Sequence, residues 1–101
     1  MSTIPLALPK EFLTDFCERN HIRKLSLFGS VLTPRFRPDS DVDILVEFET
    51  GHVPGLITLA GMEIELSGIF GRKVDLRTPE DLSRYFRSEV VSSALPQYER
   101  R

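Results

Sequence analysis

Three aspartates and one Gly-Ser pair are the residues of this chain whose types and spacing could do chemistry. Asp41 and Asp43 stand two apart in "DVDILVEF", so on a strand both face the same side. Asp75 takes the matching place in "RKVDLRT". If the two strands are neighbours, the three carboxylates converge. Two like charges ~4 Å apart repel by about 4 kcal/mol at an effective dielectric of ~20. Such a cluster is tolerated if it is solvated and splayed, if one member takes up a proton, or if a cation sits between. With no His or Cys beside them, the carboxylate oxygens suit a hard cation, Mg²⁺ or Mn²⁺. A plainer reading of the same residues stays open: Asp41 caps the "PDSD" turn, Asp43 is a solvated face residue, and Asp75 pairs with Arg77.

Gly29 and Ser30 shift that balance. A glycine closing a strand lets the backbone approach a ligand, and the turn after it presents N–H groups to an anion. The Ser30 hydroxyl adds a donor. By itself a Gly-Ser pair is an ordinary turn. Followed by a strand carrying a metal-suited Asp-x-Asp, it describes a place for a triphosphate and its Mg²⁺.

The elements that must position these residues follow from periodicity and stop signals. A first helix is expected over Pro9 to Arg19, with Pro9 at its first position and Asn20 as a left-handed stop. Phe12, Leu13, Phe16 and Cys17 form its inward face. "IRKLSLF" reads as a strand ending at Gly29, and residues 29 to 40 as a turn or short helix followed by a loop. "DVDILVEF" is the clearest strand. Its alternation places Val42, Ile44, Val46 and Phe48 on one face, and Asp41, Asp43, Leu45 and Glu47 on the other.

A second helix is expected over Leu56 to Phe70, with Leu56, Leu59, Ala60, Ile64 and Ser67 inward and Gly71 beyond its end. "RKVDLRT" forms a third strand with Val74 and Leu76 inward. "TPED" then carries helix-start signals: Thr78 as cap, Pro79 first, Asp81 three residues after the cap. The last helix takes Leu82, Phe86, Val90 and Ala94 at steps of four, with Tyr85 and Phe86 in the core. Tyr98, in the tail "LPQYERR", reads as a packing or frayed residue. The order α-β-β-α-β-α, with a hairpin-like reversal at 29 to 40, makes this an α+β fold: a small mixed β-sheet backed by helices.

Bulk properties bound the function. The chain has 101 residues, 41% hydrophobic and 28% charged, which fits one domain over 1–101 with residues 1–8 as a loose lead-in. A net charge of −2 and a pI near 5.7 argue against non-specific polynucleotide binding, which needs a basic footprint, so no direct polynucleotide binding is expected. The single cysteine, Cys17, cannot form an internal disulfide and fits the reducing cytoplasm. No signal peptide and no apolar run long enough to span a membrane is visible. His21 and His52 sit apart in the chain, lack metal-ligand spacing and read as surface or turn residues. Arg72, Lys73 and Arg77 could neutralise phosphate or stay as surface charges.

On these residues the chain resembles the minimal nucleotidyltransferases of the polymerase-beta superfamily. Within them it is most similar to the small MntA-type antitoxins encoded beside HEPN-domain toxins of the HepT type. The resemblance runs from "LSLFGS" through "DSDVDILVEF", "GHVPGL" and "GRKVDL" to "LSRYFRSEV". It implies that Asp41, Asp43 and Asp75 are catalytic and hold Mg²⁺, with two ions expected. It implies that Gly29 and Ser30 hold the β- and γ-phosphates of ATP, and that Asp75 also helps deprotonate the attacking hydroxyl. The implied reaction transfers AMP from ATP to a hydroxyl, a tyrosine's, on a HEPN-type toxin, making the chain the antitoxin of a type VII-like pair.

Many relatives follow Gly-Ser with an Ala-Arg-Gly-like stretch, whereas this chain has "VLTPRF", with Arg35 and Arg37 close by. That departure motivates the competing expectation of a catalytically weak antitoxin that neutralises its toxin by binding. Transfer to a small molecule, as in aminoglycoside nucleotidyltransferases, ranks lower, because little chain is left to build an acceptor pocket.

Overall fold

The strand that carries Asp43 is held by its own apolar side chains. Val42, Ile44 and Val46 of β2 (Val42–Phe48) are fully buried. Burying them is worth roughly 5–9 kcal/mol in total, more than the repulsion the carboxylates bring. The computed structural model describes residues 9–37 and 39–100, so the expected lead-in at 1–8 lies outside the described residues. Around β2 stand β1 (Ile22–Phe28), β3 (Val74–Arg77) and β4 (Leu95–Glu99), in the order β3-β2-β1-β4. β1 runs antiparallel to both β2 and β4, and β2 runs parallel to β3. The expected small mixed sheet is therefore present. Helices α1 (Lys10–Arg19), α2 (Leu56–Phe70) and α3 (Arg87–Ser93) complete the fold. Among the described residues no helix is long and apolar enough to cross a membrane.

Several expectations need correction. α1 begins at Lys10, with Pro9 in the capping position. The left-handed residue after it is His21, at φ 56, and not Asn20, at φ −105. Asn20 closes the helix differently, donating from Nδ2 to the Phe16 carbonyl at 2.8 Å. Leu13, Phe16 and Cys17 are buried as expected, and burial first, then Glu18, pushes the Cys17 thiol up to about 12, which leaves it unreactive. Phe12 is 69% exposed, outside the core.

α2 has the expected bounds but faces another way. Met62 and Leu66 are buried, with Leu59, Ile69 and Phe70 packed beside them, while Leu56, Ile57 and Ile64 are exposed. Ala60, expected inward, is exposed as well. This helix is apolar nearly all round, so periodicity could not select a face. Two polar residues select it. β3 is a sheet edge, and its outward amides need acceptors. Ser67 Oγ accepts from Val74 N–H at 3.0 Å, and Glu63 Oε2 accepts from Leu76 N–H at 2.8 Å.

The expected last helix is broken. Thr78 and Asp81 do form a capping box, but it starts only one 3-10 turn, Pro79–Asp81. Leu82 is extended, and Arg87 ties the break together by donating to the carbonyls of Pro79 and Leu82. Tyr85 and Phe86 are exposed, contrary to expectation. The tail, in turn, is strand β4, with Tyr98 packed against the core. Pro96 hid this strand, yet at a sheet edge a proline costs no ladder bond.

Candidate active site

The parallel register of β2 and β3 sets Asp43 directly beside Asp75. Asp41 lies just before β2, so all three predicted carboxylates gather at one end of the sheet. Asp43 is also opposite Phe28, the last residue of β1, which brings in the Gly29-Ser30 turn. Gly29 opens a 3-10 turn, Gly29–Leu32, at φ 77. A Cβ on Gly29 would sit 2.3 Å from Asp43 Oδ2, so only glycine leaves room for that carboxylate. The Ser30 backbone N–H lies near enough to favour the charged form of Asp43. The close backbone approach expected for a phosphate is thus made here to an aspartate. The glycine positions the carboxylate.

Burial, then Asp75 and Asp41, hold the Asp43 carboxyl above its usual range, with Arg77 and the Ser30 N–H opposing. Crowding like charges raises a carboxyl in this way when nothing neutralises them. The neighbouring cations are weakly placed to do so. Lys73 Nζ reaches Asp41 at 3.8 Å, an exposed pair worth little. The alternative in which Asp75 pairs with Arg77 gains no support: among the described residues no ion pair joins them.

The loop between the two halves is built and anchored. Thr33 donates from N–H and Oγ1 to the Ser30 carbonyl, closing the turn where relatives are expected to carry arginine. Arg35 and Arg37 are exposed. Arg72 lies over the Phe36 ring at 4.7 Å and donates to the carbonyls of Arg37 and Ser40, which sets the entry to Asp41. Sequence reading had Arg72 only as a candidate phosphate partner or surface charge; no local pattern signals a contact 35 residues away. Glu63 and Ser67 were likewise missed as supports flanking Asp75. A cleft of about 520 Å³ lined by Arg23, Glu47, Phe48, Val53, Thr78 and Glu80 contains none of the three aspartates. It sits at the other end of the strands and is not the candidate site.

His21 and His52 are exposed, as surface or turn residues should be, yet the fold brings these two sequence-distant side chains together. Their rings stack with centroids 3.9 Å apart and planes 16° from parallel.

The nucleotidyltransferase domain family matches residues 9–96, which takes in every element of the site. The chain belongs to that family. A relative in Thermococcus cleftensis, a protein adenylyltransferase MntA, is 41% identical over 59 residues, spanning 58% of this chain and 58% of that protein. The nucleotidyltransferase fold is also similar to the crystal structure of a toxin-antitoxin with AMP-PNP. There the TM-score is 0.74 at 20% identity, covering 93% of this chain and 76% of that one. A complex of the tri-AMPylated Shewanella oneidensis HEPN toxin with the MNT antitoxin gives 0.65 at 19% identity, covering 90% and 70%. This nucleotidyltransferase domain therefore has the enzyme's fold, with its carboxylates at the end of the sheet where β1 gives way to the Gly29-Ser30 turn.

Proposed function

We propose that the protein transfers AMP from ATP to a tyrosine hydroxyl of a HEPN-type (HepT-like) toxin, in the cytoplasm, as antitoxin of a type VII-like pair. The observation that carries the reading is the register pairing of Asp43 with Asp75 under a glycine that leaves room for the carboxylate. The relatives named above support the donor and the partner. The donor set fits a hard divalent cation, because three carboxylates gather at one end of the sheet and supply oxygen donors alone.

Asp41, Asp43 and Asp75 would hold Mg²⁺, one or two ions. The chemistry such an ion would supply is neutralisation of the charge that develops on the α-phosphate and on the departing pyrophosphate. The protein's own groups do the rest. The Gly29-Ser30 turn orients the triphosphate, and Asp75 accepts the proton of the attacking hydroxyl. That oxygen forms the new bond to the α-phosphorus as the bond to pyrophosphate breaks. The acceptor hydroxyl belongs to another protein.

The test is incubation with labelled ATP, Mg²⁺ and the toxin encoded by the adjacent gene. Label should appear on a toxin tyrosine and vanish with EDTA or in the Asp41→Asn, Asp43→Asn double variant. Absence of label under conditions where ATP binds refutes transfer. Full neutralisation of the toxin by the folded double variant would instead establish the antitoxin that acts by binding, the reading favoured by the altered "VLTPRF" segment.

A further inference from the structure

We infer that His21, Glu49 and His52 form a second metal site, for a late first-row divalent cation of the Zn²⁺ type. One ligand atom from each of the three lies within 4.8 Å of the others. These residues come from different segments: the turn between α1 and β1, the end of β2, and the connection leading to α2.

Backbone hydrogen bonds hold the three positions before any ligand arrives. Glu49 N–H donates to the His21 carbonyl at 2.9 Å. His52 N–H donates to the Glu49 carbonyl at 3.0 Å, closing a four-residue turn with Gly51 at φ 82. His21 takes a left-handed φ of 56, which turns its side chain out of the strand direction. The two imidazoles are stacked face to face, and one carboxylate oxygen of Glu49 lies within 4.8 Å of a nitrogen of each.

The chemistry differs from that of the aspartate cluster. Two imidazoles and one carboxylate are a borderline donor set, suited to Zn²⁺ with a fourth position left open, and a poor match for Mg²⁺. Ligand atoms around a tetrahedral Zn²⁺ stand roughly 3.3 Å apart, given metal–ligand bonds of about 2.0–2.1 Å. Imidazole lone pairs lie in the ring plane, so the stacked rings must swing apart to aim at one ion, and both histidines are exposed, with room to do so. Arg100 donates to Glu49 Oε2, and the carboxylate has a second oxygen for the metal.

Glu49 lies six residues beyond Asp43 along the β2 line, roughly 20 Å away at about 3.3 Å per residue. The site is therefore a clip and takes no part in transfer. It fastens the start of β1 to the end of β2, where their register shifts between Ile22 and Lys24.

The test is calorimetric titration of Zn²⁺ into the tag-free full chain. Four proteins are compared: wild type, Asp41→Asn/Asp43→Asn, His21→Asn and His52→Asn. Asparagine tolerates the left-handed backbone at position 21, and position 52 is an exposed turn, so both single variants should fold. The aspartate variant should bind one Zn²⁺ and melt at higher temperature with it, and wild type should show the same binding, with any further Zn²⁺ confined to the aspartates. Each histidine variant should bind more than about tenfold more weakly, since even outer partners of a metal ligand are worth that much. No Zn²⁺ binding by wild type would overturn the inference. So would binding unchanged by both histidine substitutions, or binding lost with the aspartates.

Discussion

Replacing Gly29 with alanine should damage the site through Asp43. The added Cβ would lie 2.3 Å from Asp43 Oδ2, where ordinary contacts begin at 3.4 Å, so the carboxylate must retreat by about 1 Å. Alanine at φ 77 also carries a backbone cost of about 1–2 kcal/mol. For a domain of this size that lowers the melting temperature by roughly 5–15 °C. A misplacement of about 1 Å in a reacting group costs on the order of 10²-fold in rate.

The assay pairs thermal melting with AMP transfer to the toxin, each measured for Gly29→Ala in the wild-type and Asp43→Ala backgrounds. Removing the Asp43 carboxylate leaves only its Cβ near the new methyl, at 3.3 Å. The stability cost of Gly29→Ala should then fall to its backbone share, and the difference between backgrounds measures the clash. Wild-type melting and transfer in Gly29→Ala would refute the argument. An equal stability loss in both backgrounds would refute the link to Asp43.

Further outcomes follow from the same geometry. Asp43→Asn should raise stability at pH 7 by about 1 kcal/mol, between the roughly 3 kcal/mol that like charges ~5 Å apart cost at a dielectric of ~20 and the ~0.8 of bulk water. Because the Asp43 carboxyl is raised on folding, its stabilising contribution is complete below pH 3.8 and lost as pH rises through the raised value. The advantage of the asparagine variant should therefore grow from acid towards neutral pH in paired melts; a constant difference would count against it. Mg²⁺ should raise the melting temperature of wild type and do so much less for Asp43→Asn. Glu63→Ala removes the acceptor of Leu76 N–H and should cost about 1–2 kcal/mol in denaturant melts, with faster amide exchange at Leu76 and reduced transfer. Tyr98→Ala should cost about 2 kcal/mol, as half-buried aromatic packing against the core is lost. A neutral result at Tyr98 would mean β4 adds little.

Much of the site was legible because its parts are local. Alternation put Asp41 and Asp43 on one side of β2, and a short apolar run bounded by a glycine placed the turn at 29 and 30. The parallel pairing that brings in Asp75, and the fit of Gly29 against Asp43, are contacts between segments and belong to the tertiary structure. So does the face of α2: an evenly apolar helix has no preferred side until the open edge of β3 demands Glu63 and Ser67. β4 escaped detection because a proline and a charged end weaken every strand signal, while β1 supplies the pairing partner from 70 residues away. His21 and His52 look unrelated in the chain, and only the antiparallel return of β2 beside β1 stacks their rings. Sequence alone determined the candidate donors, the strands that position them and the family's kind of chemistry. Tertiary structure decided which groups meet, because register and packing act between segments that local periodicity cannot relate.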